Sequence, residues 1–400
     1  MNPAHVPGNN PGVASPRGAR SLLIGIGVAL IVLVILEIAG RIGLSIIQPG
    51  RFRIHPTAFI VPEGSDRAAL EKLAEEYSRE LAASYRTKWH SYVYWRRIPF
   101  RGKYINVDKA GIRKTWNSTP SPSSGQVQVF VFGGSTLWGT GARDEFTIPS
   151  LLSKRLSARL PGGAWVTNFG EAGYVSTQEV IALILELRRG NVPDIAVFYD
   201  GYNDSASVVQ NGVAGLPQNE ENRIVEFNSQ GRLNLREGFV NRLALYRFSR
   251  WASRWATGSL GRSRAAVGSP EPLAAGVVDA YFRNIEIVSS LARTFGFQAV
   301  FFWQPTLYTK KNLSERERRL YGQFERYFSG AAPLFGLVDG TVKQRLAEGK
   351  LTQAYDLSNV FGDDGSTLFI DQHNHPTEAG NDRVADAMAR VLQNIASRRK

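Results

Sequence analysis

The sequence predicts an α/β protein built on a parallel sheet, and three observations carry that prediction. Runs rich in β-branched and aromatic residues recur at 127–132, 165–169, 195–199 and 299–303. Helical patterns lie between them near 145–160, 176–189 and 276–295, and such alternation marks a parallel sheet with helices on both faces. The chain closes with Val384, Ala385, Met388, Val391, Leu392 and Ile395, spaced as the buried stripe of a terminal helix.

Composition bounds the rest. Of 400 residues 43% are hydrophobic, which excludes a disordered chain and leaves room for segments outside one large core. A formal net charge of +13 favours anionic partners such as phospholipid headgroups or acidic polysaccharide. Nucleic acid is not expected as a partner, because the chain carries no zinc spacing and no RNP-like aromatic motif. With no cysteine, disulfides, thiolate metal sites and a cysteine nucleophile are excluded, while the compartment stays open.

The elements follow in order. Residues 1–20, rich in Pro, Gly, Asn and Ala, read as a flexible tail. Residues 21–47 are apolar except for Glu37 and Arg41, which sit four apart and can pair on a helix. That length predicts a transmembrane anchor; a cleavable signal peptide is the rival, but no clear small-residue cleavage site follows. Arg17 and Arg20 before the segment suggest a cytoplasmic N-terminus, but Arg41, Arg51 and Arg53 follow it, so flanking charge gives only a weak preference.

Residues 48–125 read as an accessory segment and linker. Leu70, Leu73, Tyr77 and Leu81 predict a helix near 66–87 with one face buried. The cluster Trp89, Tyr92, Tyr94 and Trp95 predicts packing and burial, with a sugar-stacking platform as the alternative. Residues 104–108 and 111–113 read as a strand pair, and 120–125, with its Ser and Pro, as the linker to the main domain at 126–400. Within that domain 205–275 breaks the alternation and reads as an insertion. There Val240, Ala244, Phe248, Trp251 and Trp255 share a helical face flanked by arginines, which predicts core packing, with a membrane-interface helix as the alternative. Ser314 and Glu317 have the spacing of a capping box.

In parallel sheets ligands bind beyond the carboxyl ends of strands, so polar residues just after strands are the candidates for chemistry. Gly133-Gly134-Ser135 puts a hydroxyl on a tight turn, although a simple turn would look alike. Asn168-Phe169-Gly170-Glu171-Ala172-Gly173 lets backbone approach a ligand closely, and Gly201-Tyr202-Asn203-Asp204 offers an amide donor. The segment Asp371-Gln372-His373-Asn374-His375 holds two of five histidines beside a carboxylate. Together they supply candidates for a nucleophile, a base, an orienting acceptor and oxyanion donors, the set that acyl transfer needs.

In this order the four segments resemble the blocks of the SGNH/GDSL hydrolase superfamily, over roughly residues 127–397. Gly201-Tyr202-Asn203-Asp204 and His375 with Gly380-Asn381 carry most of the resemblance. It implies a flavodoxin-like three-layer α/β/α sandwich with no metal or cofactor. It also implies Ser135 as nucleophile, His375 as base, and Ser135 N–H, Gly173 N–H and the Asn203 amide as oxyanion donors. Asp371 is the nearest candidate for the acid. Two positions depart from the family pattern. Gly-Gly-Ser-Thr stands where the name-giving motif reads Gly-Asp-Ser, and Asp371 precedes His375 by four positions where the family spaces acid and base by three.

The expectation is therefore a serine esterase or deacylase, anchored by its N-terminal helix with the catalytic domain outside the cytoplasm. Its expected substrate is an acylated cell-envelope glycan or lipid. An O-acyltransferase using the same site is the alternative enzyme, and a non-catalytic envelope scaffold or glycan-binding protein is the alternative of another class.

Overall fold

In the computed structural model, residues 16–47, 53–229, 269–327, 331–349, 351 and 353–397 are described, with positions 243, 246, 248 and 249. The chain divides into two units, Met1–Pro49 with Ser229–Leu260, and Gly50–Asn228 with Gly261–Lys400. Most of the arginine-flanked stripe at 240–255 lies outside the described residues.

In the first unit α1 (Pro16–Ile47) begins five residues earlier than the composition suggested. Proline suits the first turn of a helix, where its missing N–H has no partner to lose. The stretch Ile24–Ile42 is long and apolar enough to cross a bilayer, its 19 residues rising about 1.5 Å each. Its described side chains are largely exposed, Ile31 at 62% and Val34 at 58%. Arg41 Nε donates to Glu37 Oε1 at 3.1 Å, so the two charges inside the apolar run are paired.

The second unit opens with α2 (Arg67–Ser84), followed by two short antiparallel pairs. These are β1 (Thr87–His90) with β2 (Tyr94–Arg97), and β3 (Phe100–Arg101) with β4 (Asn106–Val107). The main sheet and its helices follow in the order β5 (Val127–Gly133), α3 (Ser135–Trp138), α4 (Ile148–Arg159), β6 (Ala164–Asn168), α5 (Ser176–Arg188) and β7 (Ile195–Asp200). Next come α6 (Tyr202–Asn211), α7 (Glu220–Ser229), α8 (Pro270–Phe295), β8 (Gln298–Trp303), α9 (Glu315–Tyr327), α10 (Ala331–Ala347), β9 (Ala354–Asp356) and α11 (Glu378–Ser397).

All five main strands are parallel and lie in the order β6-β5-β7-β8-β9. Numbered from the first, that is 2-1-3-4-5, the flavodoxin-like arrangement. Alternate residues face opposite layers, as the pleat requires. Phe132, Phe198 and Phe301 stack across three strands at 5.0 and 5.4 Å and join the core with α5, α6, α8 and α10. Val129, Val131, Val197, Val300 and Phe302 face the other way, against α4 and α11. β9 and α10 escape the sequence patterns. Three residues are too few to show a period, and Pro333, Gly336 and Gly340 dilute the helical signal of α10.

Residues 54–107 form a third apolar cluster with Trp138 and Ile370, at the carboxyl end of the sheet. The joint is polar as well. Buried Arg113 reaches Asp144 at 3.0 Å and the carbonyls of Gly139 and Ala142 at 2.6 Å each, and Tyr77 Oη donates to Ala142 O at 2.9 Å. Arg97 and Glu171, both buried, pair at 2.8 Å. Residues 120–125 thus lie inside one compact unit. In the β1–β2 hairpin the burial expected for the aromatic cluster is only half realised. Tyr94 and Trp95 are partly buried, but Trp89 and Tyr92 stay 68% and 66% exposed: the Trp89 ring stacks on Tyr94 at 5.4 Å instead of reaching the core, and Tyr92 stands in the turn of the hairpin.

Candidate active site

The sheet order reverses at β5, whose neighbours β6 and β7 lie on opposite sides, and the carboxyl ends of strands beside such a switch leave an open crevice. β5 ends at Gly133, and Ser135 opens α3 after the single residue Gly134. A side chain at 134 would push the Asn203 amide out of place, since an added Cβ would lie 2.0 Å from Asn203 Nδ2. The glycine thus lets the Asn203 amide press against the backbone just before Ser135.

Ser135, His375 and Asp371 form one hydrogen-bonded chain. Ser135 Oγ lies 2.7 Å from His375 Nε2, and His375 Nδ1 lies 2.6 Å from Asp371 Oδ2. An ionised carboxylate only accepts, so Nδ1 carries the imidazole proton and Nε2 is left to accept from the hydroxyl. Burial alone would raise the Asp371 carboxyl, but the charge and hydrogen bond of His375 hold it below the usual carboxylate range. The arrangement can pass a proton from Oγ to the ring and hold the resulting imidazolium against a fixed anion.

The four-residue spacing of Asp371 and His375 is absorbed by the backbone. Asn374 adopts φ +63°, a left-handed turn that asparagine tolerates better than most residues. The loop closes with Ile370 N donating to His375 O at 2.9 Å, and Asp371 Oδ1 accepts from His373 N at 2.9 Å. Neighbouring elements pin it. Asn374 Oδ1 accepts from Leu307 N at 2.6 Å, and buried Glu317 accepts from Leu368 N and Phe369 N at 2.8 and 3.1 Å. Ser314 and Glu317 do form the capping box at the start of α9, so one carboxylate serves both the helix and the loop.

Gly173 and Asn203 line the same cleft as Ser135 and His375, a space of about 1000 Å³. Gly173 has φ +81°, a conformation that a side chain would strain. The Asn203 side chain is held at both ends. Its Nδ2 donates to Tyr174 O at 2.7 Å, and its Oδ1 accepts from Gln218 Nε2 at 3.2 Å, which orients the amide. If Asn203 is an oxyanion donor, Asn203→Ala lowers kcat by roughly 10²- to 10³-fold with a smaller change in KM. Equal loss in both parameters, or none, would remove it from that role.

Beneath this loop lie three buried carboxyls, Glu179, Asp200 and Asp204. Burial raises all three above the usual carboxylate range, with mutual repulsion adding to Glu179 and Asp200, and Asp204 is pushed up to about 6. The native state therefore keeps protons that the unfolded chain releases near pH 4, so stability contributed here falls as pH rises above about 4, for Asp204 through about 6 and for Glu179 and Asp200 further still. Glu179→Gln should flatten the dependence of thermal stability on pH across that window. Parallel profiles for variant and parent would contradict this account.

The structure thus brings Ser135, His375 and Asp371 together and sets Gly173 and Asn203 around the same cleft. His373 lines it too, but its Nδ1 lies 3.1 Å from Tyr202 Oη, and burial holds its ring below the usual imidazole value. Gln218, Arg223 and Arg316 also line the cleft and went unread in the sequence. Gln218 and Arg223 fall where the strand–helix alternation breaks and Arg316 in a charged helix, so no motif singles them out.

No family model matches the sequence, and no curated protein matches it. Among solved structures the chain is similar to G-D-S-L lipolytic proteins. A member of that family from Veillonella parvula shares 12% identity, over 65% of this chain and 94% of that one, with a TM-score of 0.37. A carbohydrate acetylesterase family member from Sinorhizobium meliloti shares 16%, over 68% and 97%, at 0.36. The lipase/acylhydrolase from Enterococcus faecalis shares 14%, over 67% and 96%, at 0.37. At such values the chemistry has to be read from this chain's own side chains.

Proposed function

We propose that this chain is a serine hydrolase of the SGNH/GDSL type acting on ester bonds. The observation that carries the reading is the unbroken chain from Ser135 Oγ through the His375 ring to Asp371, with links of 2.7 and 2.6 Å. Ser135 Oγ attacks the ester carbonyl as its proton passes to His375 Nε2. The tetrahedral oxyanion is met by the backbone N–H groups of Ser135 and Gly173 and by the Asn203 amide. His375 then protonates the leaving alcohol, and an acyl-enzyme remains. Water, deprotonated by the same ring, releases the acid and restores Ser135. A fluorophosphonate probe should label the parent protein and leave Ser135→Ala unlabelled; labelling of both alike would refute the assignment.

In this reading α1 anchors the enzyme in a membrane and the hydrolase unit lies outside the cytoplasm, where acylated envelope glycans or lipids are found. The length and apolar surface of Ile24–Ile42 support the anchor. A reporter fused after Lys400 should be active only outside the cytoplasm, and the protein should stay with membranes in high salt. Cytoplasmic reporter activity would reverse the orientation.

A further inference from the structure

The cleft around Ser135 is lined by Arg53, Arg86, Arg223, Arg316 and Arg319, whereas among the described lining residues Asp371 is the one carboxylate and is engaged by His375. Within this set Arg319 pairs with Glu315. Arg316 has a buried Nε with no hydrogen-bond partner among the described residues, so it retains a donor for something else. Burial and the charge of Arg319 hold its guanidinium below the usual value, partly offset by the charge of Asp371, and a further anion would add to that offset. Arg223 lies over the rings of Trp95 and Tyr94 at 4.4 and 5.2 Å, and its Nε and Nη2 each donate to Gln218 O at 3.4 Å.

An aromatic row runs outward from the same wall. Trp95 lines the cleft and is fixed by its Nε1 donating to Ala172 O at 2.9 Å. Tyr94 lies 6.4 Å from it, and exposed Trp89 stacks on Tyr94 at 5.4 Å with planes 26° apart. Tyr92, also exposed, stands at the turn of the same hairpin with φ +71°. The Tyr94 ring is packed by Trp89 and Arg223, and its hydroxyl donates to Glu220 at 3.0 Å, so the aromatic faces open to the flat apolar face of a sugar ring are those of Trp89 and Tyr92, while the arginines supply charge for acidic groups. An acyl lipid would need an apolar channel for its chain, but among the described residues aliphatic lining larger than alanine is limited to Ile54, Leu320 and Ile370.

We propose that the ester taken by this cleft is carried on an anionic polysaccharide, with sugar rings on the exposed Trp89 and Tyr92 and acidic groups on Arg223 and Arg316. This rests on the serine-esterase reading and narrows its substrate class. Carboxylate and phosphate would both satisfy the arginines, and the choice of polymer separates them.

The test uses the full chain in nonionic detergent, titrated with polygalacturonate, a phosphomannan or neutral dextran of matched length, and separately with phosphatidylglycerol mixed micelles. At least one anionic polymer should bind about tenfold more tightly than dextran, with the difference shrinking as salt rises, and should slow fluorophosphonate labelling of Ser135. Arg223→Gln with Arg316→Gln should remove most of that difference, about tenfold, while lysine at both positions restores part of it. Trp89→Ala should weaken both kinds of polymer. Equal binding of charged and neutral polymers, preference for the lipid micelles, binding that leaves labelling untouched, or indifference to the arginine variants would each overturn the proposal. Absence of labelling in the parent protein would instead overturn the esterase reading, and the binding comparison still reads the polymer preference.

Discussion

Ser135→Ala is expected to lower ester turnover by roughly 10⁶-fold, the scale on which loss of a triad nucleophile acts. His375→Ala should cost about as much, and the double variant little more than either alone. The reason is that the hydroxyl attacks only while the ring accepts its proton, so removing either group stops the same step. Geometry makes the coupling tight, since one 2.7 Å contact joins Oγ to Nε2 and no second imidazole lies within reach of it among the described residues. Residual activity should come from whatever binding and oxyanion stabilisation remain. Kinetics on a small chromogenic ester measure all three variants, with thermal melting to confirm that each is folded. Additive losses would mean that the two residues act in separate steps, and the proposed mechanism would fall.

Asp371→Asn is expected to cost about 10⁴-fold, the loss that the same exchange causes in a trypsin-type triad. Asparagine would keep the loop in place, because its carbonyl oxygen can still accept from His373 N. Its amide, however, donates where the carboxylate accepted. The ring would then carry its proton on Nε2, facing Ser135, and could not act as base. His373→Ala should be mild by comparison, since that ring is bonded to Tyr202. A mild Asp371→Asn effect would show that another acceptor orients the imidazole. A severe His373→Ala effect with a harmless His375→Ala would shift the base by two positions.

Hydrophobic periodicity made much of the fold legible. The runs at 127–132 and 195–199 are rich in β-branched and aromatic residues, and Val384, Met388 and Leu392 repeat at helical spacing, because a two-sided sheet and an amphipathic helix impose those patterns on any chain that forms them. β9 stayed hidden, since three residues make no period and its place at the sheet edge depends on pairing with β8.

For the candidate site the residue types and their order along the chain were readable locally, as a serine, an asparagine and a histidine that each follow a strand or precede a helix. Their mutual distances were not. Which histidine meets Ser135 depends on the left-handed turn at Asn374, and that turn is held by Leu307, 67 positions away in the chain. The orientation of Asn203 depends on Gln218 and Tyr174, and the charge of the cleft on arginines from four separate stretches of chain. Local sequence sets which conformations and which chemical groups are on offer, because backbone sterics and hydrophobic period act over a few residues. Hydrogen-bond reach, burial and the summing of charge act through space, so the geometry of the candidate site and the sign of the cleft became decided only when the chain closed on itself.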